Sequence, residues 1–148
     1  MREYETTFIV QPEISEEGCQ EIFARVDQTL ARAGAERLLH DDQGKRRMAY
    51  EIRKFQKGRY VTTRYLDEGK AVAPLERMLR YDESVLRFLT VLADPEVTEP
   101  EARRQRAAEE ERVRAERARE RAAREAEEER ARQASAAQDA EAQASAAR

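Results

Sequence analysis

Polar and apolar positions alternate at the start of the chain. Residues 4–10 read Tyr-Glu-Thr-Thr-Phe-Ile-Val, with Tyr4, Thr6, Phe8 and Val10 on one face, the pattern of a half-buried strand. Gln11-Pro12 ends it, because proline offers no donor to a ladder. The period then changes. Cys19, Ile22, Phe23, Val26, Leu30 and Ala33 fall on one helical stripe. Ser15 is a natural N-cap, Glu16 and Glu17 complement the positive end of the helix dipole, and Gly34 follows as the C-terminal cap residue. Ile14 and Cys19 have hydrophobic-staple spacing. These signals predict a helix over 16–33.

A second strand begins around Leu38-Leu39-His40 and resumes at 45–52, where Met48, Tyr50 and Ile52 share a face. Gly44 between the halves marks a bulge in one long strand. Residues 53–58 read as a basic loop. A third strand follows at 59–66, with Val61, Thr63 and Tyr65 alternating against Tyr60, Thr62 and Arg64. Val72, Leu75, Met78 and Leu79 form a helical stripe over roughly 70–80, with Pro74 tolerated in the first turn. The last strand is 85–92. The order β-α-β-β-α-β is the ferredoxin-like split βαβ arrangement of the α+β class. It implies a four-stranded antiparallel sheet of order 4-1-3-2, both helices on one face and the other face open.

Composition divides this head from the rest. All nine aromatics lie in residues 1–94. The last 54 residues carry 12 Arg and 14 Asp+Glu, and their only aliphatics larger than Ala are Val97 and Val113. Residues 95–132 are expected to form a charged helical extension, built from the strong helix formers Ala, Arg and Glu with i,i+4 pairs such as Glu110–Arg114. No sustained apolar seam supports a coiled coil. Residues 133–148, rich in Ala, Gln and Ser, are expected to be disordered. Deletion of everything after Asp94 is expected to leave the head's thermal melt almost unchanged.

Charge changes the picture of the head. The whole chain has a net charge of −3, which does not by itself suggest a nucleic-acid binder. Yet the stretch 45–64 holds eight cations against one acid, Glu51. Such cations neutralise phosphates, and interleaved Tyr50, Phe55 and Tyr60 can stack on unpaired bases. The bland alternative is a solvated hairpin protecting an edge strand. Catalysis has little support. Cys19 is the only cysteine and reads as a small buried residue. His40 is the only histidine, beside Asp41 and Asp42 in a polar, turn-like segment, and no second motif joins it. No metal site, cofactor or small-molecule substrate is indicated. No apolar run approaches a bilayer span, so no membrane partner is expected and a cytoplasmic setting is the default. The third strand lacks the Gly-aromatic-Gly signature of RNA-recognition motifs.

Three segments carry a resemblance. They are Gly44-Lys45-Arg46-Arg47-Met48-Ala49-Tyr50-Glu51-Ile52-Arg53-Lys54 followed by Gly58-Arg59-Tyr60, the start Met1-Arg2-x-Tyr4-Glu5, and Leu79-Arg80-x-Asp82-x-x-Val85-Leu86-Arg87-Phe88. Together, over residues 1–93, they resemble bacterial small-subunit ribosomal protein six. Glu51 stands where that family often has proline and Met48 where it has leucine, both compatible with a strand. The resemblance implies a non-catalytic constituent of the small ribosomal subunit. It implies binding to the central domain of small-subunit ribosomal RNA as a heterodimer with small-subunit ribosomal protein eighteen. The implied RNA contacts are Arg2, Tyr4, Lys45, Arg46, Arg47, Tyr50, Arg53, Lys54, Lys57, Arg59, Arg80 and Arg87. The domain expected to carry them is 1–94. The competing reading from the fold alone is a protein-interaction or regulatory module that does not touch RNA. A third is a small enzyme using His40.

Overall fold

The computed structural model describes residues 1–146. The elements are β1 (Arg2–Val10), α1 (Glu16–Arg32), β2 (Glu36–Ile52), β3 (Phe55–Asp67), α2 (Val72–Tyr81), β4 (Val85–Asp94) and α3 (Pro100–Ala146). The chain forms two compact units, Met1–Ala108 and Glu109–Arg148.

In the first unit the sheet order is β2-β3-β1-β4, with every pairing antiparallel. This is the expected order read from the opposite edge. Alternation in β1 does what its pattern requires. Thr6, Phe8 and Val10 are buried on one face with Val61, Thr63 and Tyr65 of β3. Cys19, Ile22, Val26 and Leu30 from α1, with Leu75 and Leu79 from α2, close the core over that face. Thr6 bridges Tyr65 Oη at 3.2 Å and Thr90 Oγ1 at 3.0 Å, so the core hydroxyls are paired. Ser15 caps α1 as expected, its Oγ accepting from Gly18 N at 3.1 Å.

The second and third strands are longer than their alternation indicated. β2 is one continuous strand, and Gly44 lies at a register shift between Asp42 and Lys45 with φ +72°. A left-handed residue is what a bulge of this kind needs, and glycine adopts it without a Cβ clash. The expected loop over 53–58 is a two-residue turn. Arg53 and Lys54 have φ of +50° and +65°, and Ile52 pairs with Phe55. Two left-handed residues give the mirror-image turn whose twist matches the flanking strands.

The largest difference concerns the extension. Its compact boundary lies at Ala108, past the expected one at Asp94. Val97 and Ala107 are buried with Leu38, Leu39 and Leu66 in a second apolar cluster. Arg103 makes a bidentate pair with Glu3, at 2.7 and 2.8 Å, and Arg104 Nε donates a bifurcated hydrogen bond to both carboxylate oxygens of Glu36, at 2.7 and 2.8 Å. The segment just after Asp94 is therefore part of the first compact unit. In the second unit α3 continues to Ala146, past 132 and through most of the stretch expected to be disordered. No Gly or Pro follows Pro100 to stop it. The last two residues of the expected disordered segment, 147–148, lie outside the described residues.

Candidate nucleic-acid interface

The basic hairpin overhangs the sheet. The last residue of β1, Val10, pairs with Arg59, while β2 and β3 stay paired through Arg46↔Gly58, Arg47↔Lys57 and Ile52↔Phe55. Gly58 permits the crossing, because a Cβ there would lie 2.3 Å from Ile9 Cγ2. The overhang bends across the open face of the sheet towards β4. Arg87 places its guanidinium 5.8 Å from the Tyr50 ring, and Arg53 Nη1 donates to Glu83 O at 2.8 Å. A shallow cup of about 360 Å³ results. Ile9, Met48 and Leu89 line its apolar part, and Tyr50, Tyr60 and Arg87 its polar part. Arg46 lies 5.6 Å from the Tyr60 ring. Tyr50 is 61% exposed, so a large part of its ring is open to solvent.

The cations divide into two kinds. Lys45, Arg46, Arg47, Arg53, Lys54, Lys57 and Arg87 are exposed, and none of them is in an ion pair among the described residues. Their positive potential is not cancelled locally, which is the condition for attracting phosphate. Arg59 and Arg64 differ. Arg59 is 16% exposed and joins Glu16, at 2.6 Å, to Asp42, at 3.0 and 3.1 Å, while lying 5.7 Å over the Phe23 ring. Those hydrogen bonds raise its own pKa further. Burial pushes Asp42 up, but hydrogen bonds from Arg59 and the Gly44 N–H outweigh it and hold the carboxyl below its ordinary value. Hydrogen bonds from Arg59 and then Gln20 lower Glu16. Arg64 pairs with Glu5 at 2.5 Å.

Of the twelve residues marked in the sequence, Lys45, Arg46, Arg47, Tyr50, Arg53, Lys54, Lys57 and Arg87 come together on the overhang and beside it. Four lie elsewhere or are engaged otherwise. Arg59 is in the network just described. Tyr4 stacks on Tyr65 at 5.8 Å and 20° on the helix side of the sheet. Arg80, in the last turn of α2, sits 5.9 Å from the Phe88 ring. Arg2 pairs with Asp67 at the opposite end of β1, about 26 Å from Val10 by the strand rise.

His40 is not in an exposed turn. It lies in β2, half-buried, edge-on to Phe23 at 4.6 Å and 3.4 Å from Thr63 Oγ1. Burial, with Arg37 nearby, lowers its pKa. Cys19 is buried on the α1 stripe, and burial raises its thiol pKa. Among the described residues no group of three His, Cys, Asp or Glu is placed to hold a metal. Sequence reading missed the apolar part of the cup. Ile9 faces away from the core stripe of β1, and Leu89 is 65% exposed. That reversal was the available signal.

The family model for ribosomal protein S6 matches residues 3–92. The small ribosomal subunit protein bS6 of Thermosynechococcus vestitus is 39% identical over 104 residues, 70% of this chain and 91% of that protein. The bS6 protein of Trichlorobacter lovleyi is 42% identical over 105 residues, 71% of this chain and 86% of its own. Among solved structures, 30S ribosomal protein S6 from Thermotoga maritima matches with a TM-score of 0.59 at 28% identity, covering 62% of this chain and 86% of that one.

Proposed function

The chain belongs to the ribosomal protein S6 family, and from that premise we propose that it binds small-subunit ribosomal RNA through the overhanging hairpin. It is a cytoplasmic, structural protein of the small ribosomal subunit, not an enzyme. The observation that carries the RNA reading is the set of exposed cations on and beside the overhang, from Lys45 to Lys57 and Arg87, held without carboxylate partners next to Tyr50. Arginine and lysine there release counterions from phosphate, and the exposed Tyr50 ring offers a stacking surface. Arg2 and Arg80 lie apart from the overhang and are not part of this contact surface. Arg59 and Tyr4 act as supports, one holding β2 and β3 to α1, the other packing the sheet. The ribosomal domain is 1–94, extended structurally by the segment to Ala108.

The partner in this reading is small-subunit ribosomal protein eighteen, docked as a heterodimer on the open face at the cup. An apolar floor with a polar aromatic rim fits a protein side chain inserted beside RNA. The partner adds positive charge that a chain of net −3 lacks. The test is a titration of a central-domain RNA fragment with this chain, with the partner, and with both. Tight binding only when both are present is expected. RNA binding by this chain that is unchanged by the partner contradicts the heterodimer.

A further inference from the structure

The beginning of the extension makes contacts for which RNA binding has no use. On the open face, Glu3 of β1 pairs with Leu66 of β3, and Leu66 with Glu36 of β2. This end of the face, far from the cup, would present two carboxylates around an apolar centre. It is covered. Arg103 holds Glu3 with both partners nearly buried, at 11% and 7% side-chain exposure, and Arg104 holds Glu36. Val97 and Ala107 pack over Leu38, Leu39 and Leu66, and Val97 N–H donates to Met1 O at 2.9 Å. Charge matches charge and apolar matches apolar, so the occupant of this end is identified by its own contacts. The cup end shows the opposite, with Leu89 65% exposed where Leu66 is 0%.

We propose that residues 95–108 are a built-in cover for one half of the open sheet face. The cover neutralises Glu3 and Glu36, which would otherwise repel phosphate, and ties the start of β1, where Arg2 sits, to the body of the domain. It also confines a partner of the open face to the cup half; this last consequence rests on the function proposed above, while the cover itself does not.

Hydroxyl-radical footprinting of the full chain tests the cover. Leu38 and Leu66 should label several-fold more slowly than Leu89 and Leu92. In the full chain carrying Val97→Asp and Ala107→Asp, Leu38 and Leu66 should label several-fold faster, while Phe8 and Leu75 in the main core stay protected. Equal labelling of Leu66 and Leu89 in the unmodified chain overturns the proposal. So does a folded double variant in which Leu66 stays protected. If the double variant unfolds, the comparison within the unmodified chain decides. Failure of the unmodified chain to bind RNA with its partner would sink the proposed function and leave the labelling pattern, and the cover, untouched.

Discussion

At the scale of single residues, identical side chains in one hairpin do opposite work, and pH separates them. Arg59 lowers the pKa of Glu16 and Asp42 in the folded state. A lowered folded pKa contributes stability above the unfolded value, here near 4.5 and 3.8, and the contribution is lost as pH falls through the folded value. Glu16 is exposed and adds little. Asp42, whose side chain is 27% exposed, carries the larger share, and solvent screening holds the expected cost of Arg59→Gln to about 1 kcal/mol at neutral pH. Urea midpoints of the variant and the parent should converge as pH drops below 4. Arg46→Gln, which has no carboxylate partner, should move neither the midpoint nor its pH dependence. His40 acts in the same direction, over a higher pH window. Its lowered pKa means that the unfolded chain binds the proton more readily, so stability falls as pH drops from about 6.5. His40→Leu should flatten that part of the urea-midpoint profile. An unchanged slope would show that His40 is solvated.

At the scale of elements, the hairpin turn and the root of α3 are the places where structure departed from pattern. Arg53 and Lys54 occupy left-handed conformations that each cost about 1 kcal/mol relative to glycine. Arg53→Asn with Lys54→Gly should therefore raise the thermal midpoint while weakening RNA binding, because the strain is kept where the cations are wanted. A variant that is both less stable and unimpaired in binding would refute this. At the root, Arg103→Ala leaves Glu3 buried without its partner and should destabilise by about 3–5 kcal/mol, read by the same melt. Legibility follows the same division. β1 and α1 could be read because each buries one face against one layer, so period alone reports burial. The turn could not, because Phe55-Gln56-Lys57-Gly58 overhangs the sheet and has no continuous core to impose alternation. The root could not, because its burial rests on Val97 and Ala107 alone, with the remaining contacts made by arginines that look like solvated charge.

At the scale of the whole molecule, the net charge of −3 is an average over parts with different roles. The second unit carries balanced Arg and Glu along a helix, the cover cancels two acids of the sheet, and Arg59 and Arg64 are matched by carboxylates. What is left uncompensated is the overhang. Its candidate residues were legible as a run of cations, but their sorting was not, since it depends on which carboxylates α1 and the β2 bulge bring near. The cup was not legible either, since it takes residues from all four strands. The claim that the overhang contacts phosphate is tested most directly by the salt dependence of binding. With the partner protein present, the affinity of the central-domain RNA fragment should be titrated from low to moderate salt for the parent chain and for Arg46→Ala with Arg47→Ala. The account predicts weaker binding by the variant and a log–log slope shallower by roughly 1–2 units, at somewhat under one unit per lost phosphate contact, with an unchanged melt. Identical slopes in a folded variant would contradict it.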